Sequence, residues 1–408
     1  MYELSKSLGN KISKQVEENF EEQVDFLQEL VKTKSVNPGS DVKRSAEVEL
    51  DVARIIRKKL KDLGLYPRYL RARSGRPNIR VVWGPTRARK SLLLVGHMDT
   101  AKPREEVVTP FSGLVREGKM YGTGVMDMKA SLAVYVYAYK ALRDLGIELD
   151  GKLRMAFVVD GKSEEASKIG LRYLLNKGLE AKTAILGKPG SDRIGIGHRG
   201  GYRFTLTALG EGIETGKRDW ETGKRGKNAI TEMSKAIDAL QDFDLPYKSS
   251  RAFPNRSPVF TFPIKISGGV SMEMVPDQCT AWGDARLMPG NTDKQVKLWM
   301  DDKLSEIDGL EYRIEDLLFV PSMEIDKNEK IVQMLSEQAK EEMGSKPKLE
   351  GEGSWNNAWM LTERDIPCVA GFGPDGGQDR EGEWVDIESV KKVTAVYART
   401  ILDYLGEK

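Results

Sequence analysis

The stretch Ser-Leu-Leu-Leu-Val-Gly-His-Met-Asp-Thr, residues 91–100, decides the fold of this 408-residue chain. It begins with an apolar run that predicts a buried strand, and polar residues follow directly at the strand's carboxyl end. Side chains two residues apart in an extended chain point the same way, so His97 and Asp99 can face one site. Open α/β sheets bind ligands at that end of their strands. The stretch therefore predicts either a functional site or a His and an Asp that merely cap a strand.

Outward from this strand, helical and strand patterns alternate along the chain. Before residue 198 the apolar spacing predicts helices over 6–33, 48–63, 130–145 and 164–176, and strands over 78–83, 91–96, 153–160 and 183–187. Near the C-terminus it predicts helices over 328–342 and 387–405 and a strand over 366–370. This alternation is typical of an α/β domain with a mostly parallel sheet.

The rhythm changes in the middle of the chain. The order there is strand, helix, two strands, helix and strand, over 203–209, 228–240, 259–266, 280–287, 293–307 and 312–318. This order is typical of a small α+β sandwich. The sequence therefore predicts an α/β domain, residues 1–197 and 313–408, interrupted by an inserted α+β domain, residues 198–312.

Charge and hydropathy exclude several classes of partner. The 64 Lys and Arg residues nearly balance the 62 Asp and Glu residues, and a net charge of +2 gives no field that attracts nucleic acid or anionic membranes. The longest apolar stretch, 130–139, is too short to span a bilayer, and residues 1–23 lack the apolar core of a signal peptide. We therefore expect a soluble, cytoplasmic protein with no nucleic-acid or membrane partner.

Cysteine and histidine are rare in this chain. Cys279 and Cys368 cannot build a disulfide framework or a thiolate zinc site, and their apolar strand contexts indicate core positions. His97 and His198 are the two histidines, which excludes a site of three imidazoles. Carboxylates must therefore supply most of the ligands of any metal ion.

Two further segments carry carboxylates after a strand or turn. Residues 121–129, Tyr-Gly-Thr-Gly-Val-Met-Asp-Met-Lys, deliver Asp127 just before a predicted helix, where it can also serve as a helix cap. Glu164 and Glu165 follow the strand over 153–160 and open the next predicted helix. Acidic residues commonly stabilise a first helical turn, so this pair alone predicts structure as readily as a site.

Together these segments resemble the metal-dependent aminoacylase family, which includes acetylornithine deacetylase, succinyl-diaminopimelate desuccinylase and glutamate carboxypeptidase. The resemblance runs essentially end to end. Four further stretches match the family: Gly226-Lys-Asn228-Ala-Ile230, Val275-Pro-Asp277, Asp284-Ala-Arg286 and Glu383-Trp-Val385. The resemblance implies that the inserted domain is a lid and dimerisation domain, and hence a homodimer joined through it.

The resemblance also implies a role for each matching residue. His97 would bind one metal ion, Asp127 would bridge two, and Glu165 would bind the second. Glu164 would be the general base that takes a proton from water, and Asp99 would orient His97. The implied substrate-binding residues are Arg286, which would hold a substrate carboxylate, Asn228 and Glu214.

Four positions depart from the family pattern. Lys188 stands where the pattern has an acidic metal ligand, and Asp379 stands where it has a His ligand. Glu214 is the best match to a lid His, and Asn357 replaces an Asp. A carboxylate such as that of Asp379 can bind zinc, manganese or magnesium, whereas a protonated amine repels a divalent cation.

The Lys188 substitution changes what we expect of the metal centre. Its ammonium can pair with Asp127 in place of the first metal ion, leaving at most one ion held by Asp127, Glu165 and Asp379. Alternatively, burial and a neighbouring cation could deprotonate Lys188, which would then act as a ligand. We expect no ion or one divalent ion per chain, with zinc, manganese or cobalt possible.

Two functions are compatible with these residues. The first is a metal-dependent hydrolase of amide bonds in N-acyl amino acids or small peptides, of the deacylase or carboxypeptidase type, with an atypical or depleted metal site. The second is a non-catalytic member of the family that binds a small ligand or acts in an assembly. His198, in a Gly-His-Arg-Gly segment at the entry to the insert, is predicted to have a hinge or packing role.

Overall fold

The computed structural model of the protein describes residues 5–39, 48–162 and 167–408. It divides into two compact units. The α/β unit comprises Met1–Gly197, Glu324–Glu352 and Asn356–Lys408, and the inserted unit comprises His198–Met323 and Gly353–Trp355. The predicted fold class, an α/β domain interrupted by an α+β insert, is confirmed.

Helices and strands alternate along most of the chain. The helices are α1 (Lys6–Glu18), α2 (Phe20–Lys32), α3 (Leu50–Asp62), α4 (Ala130–Asp144), α5 (Leu171–Asn176), α6 (Arg218–Glu221), α7 (Ala229–Ala239), α8 (Asp293–Ser305), α9 (Lys330–Met343), α10 (Trp359–Thr362) and α11 (Ile387–Leu405). The strands are β1 (Arg68–Arg73), β2 (Arg76–Trp83), β3 (Ser91–His97), β4 (Leu114–Arg116), β5 (Lys119–Tyr121), β6 (Lys152–Val158), β7 (Thr183–Leu186), β8 (Arg193–His198), β9 (Gly200–Leu209), β10 (Val259–Gly268), β11 (Gln278–Leu287), β12 (Glu311–Val320), β13 (Met323–Glu324), β14 (Lys348–Glu352), β15 (Cys368–Val369), β16 (Gly376–Gln378) and β17 (Glu383–Asp386).

The α/β unit is built on a six-stranded sheet in the order β1-β2-β6-β3-β7-β15. Strands β6, β3, β7 and β15 are parallel, and β2 and β1 continue the sheet in antiparallel pairing. Every residue of β3 after Ser91 is buried, as the apolar run predicted. Helices α4 and α11 pack against β3 and against each other. The carboxyl end of β3 is therefore fixed between two parallel neighbours and a buried helix layer.

Side-chain caps explain where several helices begin. The Asp386 side chain accepts a hydrogen bond from the Ser389 N–H at the start of α11. Thr292 and Gln295 form a reciprocal capping box at the start of α8. The apolar pattern over 6–33 is divided at Asn19 into α1 and α2. Local sequence thus sets these ends, and burial of the apolar faces holds the helices in place.

The inserted unit contains an antiparallel sheet in the order β10-β11-β9-β12. Apolar residues of α7 and α8 pack with the sheet in one hydrophobic core. Within it the Phe260 ring stacks on Phe204 and Phe243, with centroids 5.6 and 4.9 Å apart. Burial of these rings, rather than contact with the other unit, accounts for a separate core.

One predicted boundary of the insert is wrong. The sequence-derived boundary between residues 312 and 313 falls inside β12, which pairs with β9 from Glu311 to Val320 and completes the sheet. The chain therefore stays in the inserted unit as far as Met323. Gly353–Trp355 also belongs to this unit, which the sequence pattern did not indicate.

Two small sheets were not predicted. One has the order β16-β17-β5-β4 and the other β13-β8-β14. Most of their strands have two to five residues, too few to show a hydrophobic period. The first sheet matters for function because β5 leads into the glycine turn before Asp127, and β17 begins with Glu383.

None of the helices in the described ranges has the length and apolar composition needed to cross a bilayer.

Candidate active site

The candidate site lies at the carboxyl ends of three parallel strands. His97 is the last residue of β3, and its register partner on β6 is Val158, the last residue of that strand. On the other side, Val95 pairs with Leu186 at the end of β7. The segments that follow these strands therefore meet at one edge of the sheet, as the sequence predicted.

His97 is held by the backbone that follows it. Its Nδ1 lies 2.9 Å from the Asp99 carbonyl oxygen and 3.7 Å from Asp99 Oδ1. Because a carbonyl oxygen can only accept, Nδ1 donates in this contact. The Nε2 atom is buried without a hydrogen-bond partner in the described part of the chain and lies 3.3 Å from Asp127 Oδ1. The ring is thus aimed at Asp127.

Asp99 organises the backbone around the site. Its buried carboxylate accepts hydrogen bonds from the Asn37 amide and from the backbone N–H groups of Gly161 and Lys162, each 2.8 Å long. The carboxylate therefore fixes the segment that follows β6, in addition to lying beside His97. This second task was not foreseen from the sequence.

Asp127 is presented by a glycine turn. Gly124 has a φ of +79°, and a Cβ there would lie 2.1 Å from Thr100 Cγ2, so only glycine fits. An irregular helical segment over Val125–Lys129 follows, in which Asp127 and Met128 have non-helical backbone angles and the peptide bond between them is cis. The turn holds the Asp127 carboxylate at the carboxyl edge of the sheet, beside His97.

Glu383 fixes this turn from the far end of the sequence. Its carboxylate accepts three backbone hydrogen bonds, from Gly124 and Met126 at 2.8 Å and from Asp127 at 2.9 Å. Burial raises the pKa of Glu383, and the nearby Asp127 charge adds to this, although the three N–H groups oppose it. The sequence marked Glu383 only as part of a matching stretch, so its positioning role was missed.

Two lysines occupy the Asp127 carboxylate. Lys188, which follows β7, lies with its Nζ 2.6 Å from Oδ1, and Lys162, which follows β6, donates to Oδ2. The predicted pairing of Lys188 with Asp127 is confirmed. Lys162 was missed, since a lysine beside a predicted strand end looks like an ordinary surface residue.

The pKa shifts follow from this crowding of charge. Burial works to raise the pKa of Asp127, yet the charges of Lys188 and Lys162, together with His97, hold it well below its usual range. Burial acts to lower the pKa of Lys162, but the charges of Asp127 and other carboxylates outweigh it, so the pKa is raised. Burial lowers the pKa of Lys188, and Lys162 adds to this while Asp127 opposes it.

A cleft of about 200 Å³ opens above Asp127 and Lys162. One wall is formed by residues between Ala101 and Pro110, and the other by residues between Gln378 and Glu383. Lys162 contributes to the lining, so its ammonium is available both to Asp127 and to a ligand in the cleft. Its volume is below the roughly 300–1,000 Å³ of typical ligand pockets, so the cleft can hold a small group or part of a ligand.

Asp379, another predicted metal ligand, does not join this group. Asp379 is exposed, and its carboxylate accepts from the Glu381 N–H at 2.8 Å and from the Tyr121 hydroxyl at 3.4 Å. Glu164 and Glu165 lie outside the described residues. Among the residues described, no three His, Cys, Asp or Glu side chains come together in an arrangement that could hold a metal ion.

The residues therefore do not fit the two-ion centre that the resemblance implies. His97 Nε2 and Asp127 Oδ1 are spaced like two ligands of one zinc ion, each about 2.0–2.2 Å from the metal. However, the Lys188 ammonium is already 2.6 Å from that oxygen, and Lys162 engages the other one. Both oxygens of the expected bridging carboxylate are thus taken by cations.

The predicted substrate-binding residues lie in the inserted unit. Arg286 Nε is 2.7 Å from Asp284 Oδ2, and Arg203 Nε is 3.2 Å from Asp284 Oδ1, so two guanidinium groups share one carboxylate. The Asn228 side chain caps α7 by accepting from the N–H groups of Ile230 and Thr231. Glu214 lies 3.3 Å from Lys217, and both side chains are largely exposed.

His198 is buried away from any charged partner within the described ranges. Its Nδ1 contacts the Arg199 carbonyl oxygen at 3.0 Å, and burial lowers its pKa to about 4. The imidazole is therefore neutral at ordinary pH. This agrees with the predicted packing role at the entry to the insert.

Comparison with known proteins gives consistent matches. The family model described as peptidase family M20/M25/M40 matches residues 93–403. The N-formyl-4-amino-5-aminomethyl-2-methylpyrimidine deformylase of Bacillus subtilis is 25% identical over 347 residues, which are 78% of this chain and 80% of that protein. A succinyl-diaminopimelate desuccinylase of Cereibacter sphaeroides is 23% identical over 350 residues, which are 82% of this chain and 88% of that protein. An M20 family metallo-carboxypeptidase from Sulfolobus solfataricus shares the fold, with a TM-score of 0.74, 19% identity and coverage of 94% of this chain and 99% of that one.

Glu383→Ala should destabilise the protein because it leaves the three N–H groups of the glycine turn without their acceptor. We expect the free energy of unfolding, measured by urea titration, to fall by at least about 2 kcal/mol. Glu381→Ala is the matched control: this exposed neighbour pairs with Arg116 at the surface, so its loss should cost less than about 1 kcal/mol. Equal losses in the two variants would contradict the positioning role.

His198 should make stability depend on pH in a defined interval. In the unfolded chain its pKa is near 6.5, so between pH 6.5 and 4 the unfolded state binds a proton that the folded state does not. The free energy of unfolding of the wild type should therefore fall with falling pH more steeply than that of His198→Asn, by up to about 1.4 kcal/mol per pH unit. Parallel curves for the two proteins would show that His198 does not titrate as a buried group.

Proposed function

Because the chain belongs to peptidase family M20/M25/M40, we propose that it hydrolyses the amide bond of an N-acyl amino acid or a small peptide. The family assignment confirms the function class predicted from the sequence, metal-dependent amide hydrolysis of the deacylase and carboxypeptidase type. Relatives named as a deformylase and a desuccinylase support a small acyl group as one side of the bond. For this chain the proposed centre binds one divalent ion or none.

The observation that carries the proposal is that Asp127 and Lys162, which contact each other, line one cleft, while His97 faces Asp127 at 3.3 Å. Glu164, in the segment after Lys162, is the proposed general base: it takes a proton from water as the water oxygen attacks the carbonyl carbon. The same group then gives the proton to the leaving nitrogen as the C–N bond breaks. Asp99 acts as a positioning residue through the hydrogen bonds that hold this segment.

The Lys162 ammonium can stabilise the negative charge that develops on the carbonyl oxygen. It lines the cleft and carries N–H groups beyond the one that it donates to Asp127. An ammonium polarises a carbonyl less strongly than a divalent ion does, so slow hydrolysis is expected. The resemblance implies His97, Asp127, Glu165 and Asp379 as ligands, and any ion at Asp127 would compete with the two lysines there.

Arg286, in the inserted unit, is the proposed partner of a carboxylate on the substrate. Arg286 and Arg203 together carry two positive charges against the single charge of Asp284, which leaves a net attraction for a carboxylate. Asn228 and Glu214 are proposed as further substrate contacts. The proposed substrates are therefore N-acyl amino acids or peptides that carry a free carboxylate.

The direct test is release of free amine from a panel of N-formyl, N-acetyl and N-succinyl amino acids and dipeptides. The wild type should release amine slowly, and Glu164→Gln should reduce the rate at least about 100-fold because the base is lost. Assays with added zinc, manganese or cobalt show whether an ion contributes. No release from any compound, with enzyme and substrate at equal concentration, would reject hydrolysis and favour a ligand-binding member of the family.

Arg286→Lys should weaken the binding of acidic ligands, because one ammonium cannot replace a planar two-pronged guanidinium. We expect the dissociation constant for an N-acyl amino acid, measured by calorimetry, to rise at least about tenfold. Arg251→Lys, at an exposed arginine of the same unit, is the control and should leave it unchanged. Unchanged affinity in Arg286→Lys would make this arginine only the ion-pair partner of Asp284.

We also propose that the chain forms a homodimer through the inserted unit. β10 lies at an edge of its sheet and therefore has unpaired backbone groups. Its side chains Ile264 and Ile266 are exposed, as are Val270 and Met272 just beyond it. An exposed edge strand with apolar side chains suits pairing with a second copy.

Sedimentation should therefore show a dimer at micromolar concentration. Charges on the β10 edge, introduced by Ile264→Lys together with Ile266→Lys, should give a folded monomer. Leu298→Lys, at an equally exposed apolar residue on α8, should remain dimeric. A monomeric wild type, or a double variant that stays dimeric, would overturn this assignment.

A further inference from the structure

We infer that the Asp127 centre of this chain is built to hold two ammonium groups, those of Lys188 and Lys162, and binds no divalent metal ion. The inference goes beyond the proposed function, since it concerns what occupies the centre rather than whether an amide bond is cleaved there. From the sequence we expect one divalent ion or none per chain. The inference is more specific: no divalent ion binds at the Asp127 carboxylate.

Lys188 lies where a metal ion shared by His97 and Asp127 would bind. His97 Nε2 and Asp127 Oδ1 are 3.3 Å apart, the separation of two ligands that share one ion. The Lys188 ammonium is 2.6 Å from the same oxygen. A positive charge is therefore already present where an ion shared by His97 and Asp127 would have to bind.

Lys162 occupies the second oxygen of the Asp127 carboxylate. It donates to Asp127 Oδ2, so neither oxygen of the carboxylate is free to bridge metal ions. A divalent ion would have to displace two ammonium groups from one carboxylate. While the ammonium groups remain they repel a divalent ion, and displacing them costs their ion pairs with Asp127.

Backbone contacts hold both lysines in place. The backbone N–H of Lys162 donates a hydrogen bond of 2.8 Å to the Asp99 carboxylate, and Asp99 is itself buried. A Cβ at Gly373 would lie 2.5 Å from the Lys188 carbonyl oxygen, so a glycine there lets the two segments pack closely. Both ammonium groups therefore come from anchored segments at the ends of β6 and β7, unlike surface lysines on mobile loops.

The test is calorimetric titration of the EDTA-treated, dialysed protein with zinc and with manganese, which needs no substrate. We compare the wild type with Lys188→Glu, with Lys188→Glu/Lys162→Gln, and with Lys102→Gln. Lys102 lines the same cleft but does not contact Asp127, so it is the matched control. Asp127→Asn reports whether any binding occurs at this carboxylate.

The wild type and the Lys102→Gln control should show no binding that depends on Asp127. The double variant should bind zinc, and adding Asp127→Asn to it should abolish that binding. Zinc binding by the wild type that Asp127→Asn abolishes would overturn the inference, whereas binding that Asp127→Asn leaves intact lies elsewhere and supports it.

Unfolding of a lysine variant would not block the test, because the wild-type and Asp127→Asn titrations decide the outcome alone. A zinc-dependent rise in the thermal midpoint of the wild type that is absent from Asp127→Asn would also contradict the inference. The outcome for the proposed function is read separately. If the protein binds no metal at Asp127 and hydrolyses amides, both the inference and the proposed function are supported. If it binds no metal and hydrolyses nothing, only the proposed function is rejected.

Discussion

The ion cluster at Asp127 is the interaction on which the rest of this site depends. One carboxylate receives an ammonium on each oxygen, and His97 points at it from the end of β3. Asp127 is only partly exposed, so its carboxylate is stabilised by pairing, and both ammonium groups lose their partner if Asp127 is protonated. The strand ends, the glycine turn and the contacts of Glu383 can therefore be understood as the means of holding this cluster together.

The same scaffold supports different chemistry when the charge at its centre changes. This chain has the parallel strands and the glycine turn that bring His97 and Asp127 together. At the centre, however, two ammonium groups contact the Asp127 carboxylate, and an ammonium offers no open coordination position. An ammonium donates directional hydrogen bonds, so the cleft above Lys162 can recognise a carbonyl or carboxylate oxygen. Recognition can therefore persist while the rate of hydrolysis falls.

The sequence predicted those features that depend on local pattern. The buried strand β3 and the meeting of strand ends follow from hydrophobic period and sheet geometry, whereas the Lys188 pairing was expected because the resemblance implies a metal ligand at that position. Lys162 was missed because nothing local separates it from a solvent-exposed lysine. The hold of Glu383 on the turn was missed because it joins residues 256 to 259 positions apart. The boundary at 312 was wrong because pairing with β9, and not β12's own sequence, assigns β12 to the insert.

X-ray diffraction from crystals grown with zinc, recorded on both sides of the zinc absorption edge, tests the central claim most directly. The account predicts both lysine ammonium groups within hydrogen-bond distance of Asp127 and no anomalous peak at its carboxylate. An anomalous peak bound to Asp127 and His97, with the Lys188 and Lys162 side chains turned away, would contradict it.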